Sequence, residues 1–211
     1  SGFIGTHLYK RLLDLGAVVT IFDNLSPQIH GEDASFTDSR VTFIEGDVTD
    51  GKAIREALIG MDFIFHLAAE TGTGQSMYEV KKYVQVNDIG TSALLEGLSE
   101  VGEKHAHVIL ASSRSIYGEG AYLSKDGGLY HPLSRNYKQL VSGQWELLDD
   151  YGCPLSPTAT PVSLAPKPGS VYAATKYSQE MLVSVVCAAK DFSCSILRFQ
   201  NVYGEGQSLR N

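Results

Sequence analysis

The sequence predicts an α/β fold with a doubly wound parallel sheet. Three observations point there: short apolar runs alternate with amphipathic stretches, glycines stand where helices end, and 43% of the 211 residues are hydrophobic, enough for one sizeable core. A helix is expected near Ile4–Leu15, with Gly16 as its stop, because glycine takes the left-handed conformation that closes a last turn. The strands Ala17–Phe22 and Val41–Glu45 follow. A second helix covers Gly51–Ile59 and ends at Gly60. Strand Asp62–His66, a long helix near Tyr78–Val101, strand His107–Ala111, a helix from about Ser170 to Lys190 and strand Ser193–Phe199 complete the alternation.

Residues Glu119 to Gly169 break the pattern. They are rich in Gly, Pro, Ser and Tyr and hold the only tryptophan, Trp145. A connection this long inside a compact domain is either a functional insertion or a surface elaboration without chemistry. Tyr-Gly-Glu-Gly occurs at Tyr117–Gly120 and again at Tyr203–Gly206. Both copies follow strands, at the carboxyl edge where open α/β sheets bind ligands.

Seventeen basic against 24 acidic residues give a net charge of −7, which argues against a nucleic-acid partner. A phosphate-bearing ligand remains compatible, since helix N-termini hold anions without side-chain charge. No apolar run reaches about 18 residues and no signal peptide is visible, so the chain reads as soluble and cytoplasmic. Cys153, Cys187 and Cys194 lack CxxC spacing and read as thiols of a reducing cytosol. His105-Ala106-His107 reads as a solvated strand edge, and no metal is expected.

Chemistry is carried by Tyr172-Ala173-Ala174-Thr175-Lys176. A tyrosine and a lysine four apart on a helix share one face, so the ammonium can sit under the phenol. A free phenol titrates near about 10, and a nearby cation favours phenolate, which makes an acid/base for hydride chemistry. A second match, Tyr78 to Lys82, lies among charges that read as a solvated helix face. At the start of the chain, Ser1-Gly2-Phe3-Ile4-Gly5 reads as the end of a glycine-rich phosphate loop opening a helix. Asp23 stands 18 residues past Gly5 at the end of the next strand, close to the spacing of about 20 at which an acidic residue binds ribose hydroxyls. Asp23-Asn24-Leu25 has no adjacent arginine, so NAD is favoured over NADP.

These residues resemble the extended short-chain dehydrogenases/reductases, in particular the NAD-dependent epimerase/dehydratase family acting on nucleotide sugars. The resemblance rests on Gly2-Phe3-Ile4-Gly5, Asp23-Asn24-Leu25, Gly46-Asp47-Val48, His66-Leu67-Ala68-Ala69, Asn87, Ser112-Ser113-Arg114-Ser115-Ile116-Tyr117-Gly118, the Tyr172–Lys176 stretch and Arg198-Phe199-Gln200-Asn201-Val202-Tyr203-Gly204. It implies a Rossmann-like NAD-binding domain over residues 1–118 and 170–200, an insertion at 119–169, and the start of a substrate-binding region at 201–211. The first strand of the sheet and most of a C-terminal substrate domain are expected to lie outside the chain.

The same resemblance assigns roles. Gly2, Phe3, Ile4, Gly5, Asp23, Asn24, Asp47, Val48, Leu67, Ala68 and Ala69 would line the cofactor site, and Asn87 would support its nicotinamide side. Leu67 to Ala69 could equally be strand-end packing, and Asp47 a cap or turn residue. Ser113, Tyr172 and Lys176 would be catalytic, with Ser112 the neighbouring alternative to Ser113. Lys176 would lower the tyrosine pKa and, with Tyr172, reach the cofactor. Ser112, Ser113, Arg114 and Asn201 would meet the substrate, a nucleotide-diphosphate sugar.

Dehydratases of the family follow the catalytic residue with an Asp-Glu pair, whereas Arg114 and Ser115 follow Ser113 here, which disfavours 4,6-dehydration. The implied activity is C4 epimerisation through a keto sugar. A 4-reductase or a non-catalytic dinucleotide-binding scaffold are the alternatives. Thr71–Glu79, Ser112–Gly120 and Gly204–Leu209 are most similar to the branch acting on dTDP-L-rhamnose. A homodimer is implied through the helices near Tyr78–Val101 and Ser170–Lys190. The stripe Val171, Met181, Leu182, Val185 and Ala189 would serve that contact or cover the subunit's own sheet.

Overall fold

The computed structural model describes residues 1–32, 34–102 and 106–207. His105 of the histidine pair and Ser208 and Leu209 of the last motif lie outside the described residues. Helix α1 (Phe3–Asp14) opens from an extended Gly2 and ends before Gly16, whose φ of +82° confirms the expected stop. Strand β1 (Thr20–Asp23) is shorter than its apolar run, because only from Thr20 does it pair, in parallel, with β2 (Thr42–Glu45). Val18, ahead of the ladder, is 97% exposed. Between them a single helical turn, α2 (Pro27–His30), follows the end of β1. Helix α3 (Gly51–Ala57) is capped by Asp50, whose carboxylate accepts from the Lys52 and Ala53 N–H groups.

Strand β3 (Phe63–His66) leads into the short turns α4 (Thr73–Ser76) and α5 (Val80–Tyr83). The expected long helix is present from Val80 to Val101 but not as one regular rod. A π-helical stretch, Val84–Ile89, separates α5 from α6 (Gly90–Val101). A Cβ on Gly90 would lie 2.6 Å from the Val48 side chain, so the helix presses directly on the loop after β2. Strand β4 (His107–Ser113) ends in a 3₁₀ turn, Arg114–Tyr117. It pairs in parallel with β3 on one side and with β8 (Ser193–Phe199) on the other.

The parallel sheet thus falls into two hydrogen-bonded pieces, β1–β2 and β3–β4–β8, with no strand between β1 and β3 among the described residues. The core lies where α3 meets α6 and α8 (Val171–Lys190) covers β4 and β8. Ile54, Leu58, Leu94, Leu98, Val108, Leu110 and Val183 fill it. No described helix is long and apolar enough to cross a membrane.

Residues 119–169 build a small antiparallel sheet, β5 (Tyr122–Leu123), β6 (Leu129–Tyr130) and β7 (Ser156–Pro157), with the short helix α7 (Tyr137–Val141). Two-residue strands are too short to leave a period in the sequence. Their base is tied to the turn after β4. Lys167 N–H donates to Ile116 C=O at 2.8 Å, its ammonium donates to His131 C=O at 2.6 Å, and the His131 ring meets Tyr117 C=O at 2.8 Å.

Candidate active site

Successive side chains of a strand point to opposite faces, which separates the two serines at the end of β4. Ser112 is buried, and its hydroxyl donates to the Glu180 carboxylate at 2.5 Å. The structure therefore does not bring Ser112 to the substrate face, where it was expected as a contact. Ser113 points the other way, toward Tyr172, and accepts from Ser115 N–H at 3.1 Å.

Ser170 starts α8 by accepting from Ala173 N–H at 3.1 Å, which fixes the phase of the helix. Tyr172, Lys176 and Glu180 then stand at successive four-residue steps on the face toward β4. Burial pushes the Tyr172 phenol up from its ordinary pKa, and the Ser113 hydroxyl pulls it partly back. Tyr83, buried and anchored on the carbonyls of Thr71 and Gly72, meets the Tyr172 ring edge-on at 6.5 Å between centroids.

Lys176 is buried to 3% exposure and brought down to about 8 by that burial. Its ammonium donates to Ala111 C=O at 2.9 Å. The second match differs in kind: Tyr78 is 91% exposed, and Lys82 is paired with Glu70 at 3.0 Å.

Asn87, expected beside the nicotinamide, is fully buried and its amide is spent on the protein. Its Oδ1 accepts from Glu70 N–H at 2.8 Å, and its Nδ2 donates to Glu70 C=O at 3.2 Å and to Thr175 Oγ1 at 2.9 Å. Thr175 passes the chain on to Tyr172 C=O at 2.9 Å. Asn87 thus fastens the loop after β3 to the helix that carries Tyr172 and Lys176.

A second buried polar chain runs beside it. Gln179 Nε2 donates to Thr91 Oγ1 at 2.6 Å and to Asn87 C=O at 3.0 Å, while the His66 ring meets Thr91 Oγ1 at 2.8 Å. Burial, with a smaller push from Lys176, takes His66 down to about 3, so it is neutral. On the other flank Arg198 forks onto Glu180 at 2.9 and 2.8 Å and also reaches Tyr117 Oη at 2.5 Å and Val162 C=O at 3.1 Å. One guanidinium so joins β8, α8, the turn after β4 and the 119–169 segment. Sequence reasoning missed Gln179, Thr91, Glu180 and Arg198 as site supports; their only signal is the four-residue spacing of Glu180 from Lys176.

Arg114 and Asn201 are exposed at the ends of β4 and β8, and Arg114 Nε donates to Asn201 Oδ1 at 3.2 Å. At the other end of the groove Gly2 and Gly5 begin α1. A Cβ on Gly2 would meet Ile29, at 3.9 Å, and one on Gly5 Leu67, at 3.8 Å, ordinary packing distances that place α2 and the loop after β3 beside the glycine turn. Phe3 edges against His7 at 5.3 Å, and Ile4 continues the first turn. Asp23, at the end of β1, accepts from Leu25 N–H at 2.9 Å.

Asn24 Nδ2 donates to Asp47 at 3.2 Å, and Asp47 also accepts from Thr49 N–H at 2.8 Å. Asp47 borders a cavity of about 490 Å³ with Thr49, Tyr78, Lys82 and Val86. Val48 is buried against the core. Leu67, Ala68 and Ala69 are half-buried beyond β3.

A parallel α/β sheet with a glycine turn opening its first helix, an acidic residue after the next strand, and Ser113, Tyr172 and Lys176 at the carboxyl edge defines a class of Rossmann-like α/β folds. The chain belongs to the NAD dependent epimerase/dehydratase family, whose model matches residues 1–138 and 151–211. Within the 119–169 segment only 139–150 fall outside that match. The chain is 39% identical, over its full length, to a dTDP-L-rhamnose 4-epimerase of Burkholderia thailandensis, of which it covers 58%. It is 30% identical over 64% of its length to a mouse UDP-glucose 4-epimerase, of which it covers 43%. Among solved structures, a UDP-glucose 4-epimerase of Thermotoga maritima with UDP-glucose matches at a TM-score of 0.72 and 25% identity, over 98% of this chain and 55% of that one. MoeE5 in complex with UDP-glucose and NAD matches at 0.69 and 26%, over 98% and 54%. The chain spans a little over half the length of the relatives that match it end to end.

Proposed function

We propose that the chain is the NAD-binding and catalytic portion of a nucleotide-sugar 4-epimerase. The observation that carries this reading is the meeting of Ser113 and Tyr172 at the carboxyl end of β4, where the Ser113 hydroxyl lowers the phenol, with Lys176 buried one helical turn on. The residues fit NAD: the first N–H groups of α1 have no intrahelical acceptors, and Gly2 and Gly5 bring no side chain to the helix start, where a pyrophosphate can sit. Asp23 at the end of β1 offers a carboxylate for ribose hydroxyls, and Asp47 and Val48 follow the next strand as partners for adenine.

NAD, when bound, supplies the hydride acceptor and a positive charge. Tyr172 takes the proton of the sugar's C4 hydroxyl and returns it after the keto sugar has turned. Ser113 donates to the reacting oxygen and holds it against Tyr172. Lys176 supplies a cation within the same dry pocket. Arg114 and Asn201, paired at the rim, receive the diphosphate, for which an arginine is suited by its fork of donors. The Arg114-Ser115 pair after Ser113 offers no carboxylate for elimination of water, which favours epimerisation over dehydration.

The 39% relative supports dTDP-L-rhamnose or a similar 6-deoxy sugar nucleotide as the substrate class. Residues 1–118 and 170–200 form the cofactor domain in this reading, and 201 onward begins the substrate region. A homodimer through the α5–α6 run and α8 is part of it: Met181 and Val185 of α8 are 51% and 61% exposed, as are Val84 and Ile89 at 39% and 51%. The three free thiols suit a reducing cytosol. The test is to incubate the full-length protein with dTDP-, UDP- and GDP-sugars, without added cofactor, and to identify products by NMR. An inverted C4 centre supports epimerisation; turnover only with stoichiometric NAD(P)H would make the protein a reductase.

A further inference from the structure

We propose that Gln28, Gln75 and Lys82 form a latch across the dinucleotide groove that holds NAD in place through the reaction cycle. The proposal rests on the NAD-binding reading above and adds to it the device that retains the cofactor. Two loops flank the glycine turn. The one after β1 runs through Leu25 into α2, whose Ile29 lies 3.9 Å from a Cβ built on Gly2. The one after β3 starts at Leu67, 3.8 Å from a Cβ built on Gly5, and runs into α4. The glycine turn therefore lies between them.

The two loops are joined side chain to side chain. Gln28 Nε2 donates to Gln75 Oε1 at 3.1 Å and Gln75 Nε2 donates back to Gln28 Oε1 at 3.3 Å, a reciprocal amide pair. Lys82 donates to the same Gln28 Oε1 at 3.2 Å and is paired with Glu70 at 3.0 Å and Glu79 at 3.6 Å. Gln75 Nε2 also donates to Glu79 at 3.1 Å.

The two sides of this bridge differ in firmness. Glu70 is held at both backbone groups by buried Asn87, and through Thr175 it is tied to the Tyr172 helix. Gln28 sits instead on a four-residue turn that follows Leu25, a non-glycine residue at φ +47°. That conformation is strained, and release of the bridge frees the short turn to swing. Neither glutamine belongs to the hydrophobic core, so the pair does little for the sheet. What it can do is obstruct the way out of the groove.

The chemistry gives such a latch a purpose. An epimerase must return to the sugar the same hydride that it removed, and loss of the reduced cofactor between the two steps would strand a keto sugar. Neutral amide pairs make only modest net contributions and reform readily, which allows slow exchange of cofactor without permanent closure.

The experiment uses full-length protein and the variants Gln28→Ala, Gln75→Ala and the double variant, with thermal melts to establish that each is folded. Bound NADH is displaced by excess NAD⁺, and the loss of its fluorescence gives the release rate; NAD content after gel filtration is the second readout. Each single variant is expected to release NADH about tenfold faster, the fold-change for roughly one lost bonded pair. The double variant should be no faster than either single, because both remove one shared contact. Should an alanine variant fail to fold, Gln28→Asn and Gln75→Asn keep a polar side chain one methylene shorter and are expected to part the pair equally. Release at the wild-type rate from folded variants overturns the latch while leaving NAD binding intact. A wild-type protein that retains no NAD or NADH overturns both the latch and the reading on which it rests.

Discussion

Replacing Lys176 by methionine should make the protein more stable near neutral pH while abolishing turnover. The ammonium is 3% exposed, and burial alone brings it from 10.5 to about 8. A drop of about 2.5 units corresponds to roughly 3 kcal/mol of burial cost for the charged form. Since the folded pKa lies below the unfolded one, the unfolded chain binds more protons between about 8 and 10.5, so at this group stability rises with pH across that window. The full cost is present below about pH 8 and is gone above about 10.5.

Methionine matches the stem of lysine without the charge but leaves Ala111 C=O without the bond it receives at 2.9 Å, a loss of about 1–2 kcal/mol. The net gain at pH 7 is therefore about 1–2 kcal/mol. For a chain of this size that is a rise in Tm of roughly 2–8 °C. Thermal melts by circular dichroism from pH 6 to 10.5, with bound cofactor content matched between samples, measure it. The advantage of the variant should shrink as pH rises and reverse sign near the top of the range. A variant that is destabilised at pH 7, or whose difference from wild type is flat with pH, would refute the reasoning.

Three further outcomes are expected. Tyr172→Phe keeps the buried ring and its edge contact with Tyr83 but removes the proton carrier, so kcat should fall by about 10²–10⁴-fold while NADH binding by fluorescence titration is unchanged. Gly118→Ala should cost about 2–4 kcal/mol in urea unfolding, since Gly118 sits at φ +62° and a Cβ would stand 2.4 Å from Lys167 C=O. Arg198→Met leaves Glu180 buried without its partner and should cost about 3 kcal/mol; adding Glu180→Met should recover most of it, a coupling that a double-mutant cycle reads directly.

Much of the fold was legible because its signals are local. Gly16 and Ser170 mark helix ends by backbone conformation and a capping hydroxyl, and both sit where a single residue type satisfies the geometry. The Tyr172/Lys176 spacing likewise follows from helical pitch alone. The π-helical turn was not legible, because nothing in the local pattern of Val84–Ile89 distinguishes it from ordinary helix. Gln179 and Thr91 look in sequence like any polar helix residues; their burial is decided by packing of α6 on α8. Alternation says that Ser112 and Ser113 face opposite ways but not which one faces Tyr172, and only the partner of each, Glu180 or Tyr172, decides it.

Burial at the site opposes both charges that the chemistry needs, raising Tyr172 and lowering Lys176. That opposition does not contradict a catalytic role. Low local polarity penalises a lone charge and in the same measure strengthens the attraction between opposite charges a few ångströms apart. A phenolate here is therefore costly by itself and much less so beside a cation. On the proposed reading, Tyr172 stays a phenol until a positive charge stands over it, so the base is available only in protein loaded with oxidised cofactor. The latch at Gln28 and Gln75 and the dry pocket at Tyr172 then serve one end: the first keeps that positive charge in place, and the second makes reactivity depend on its being there.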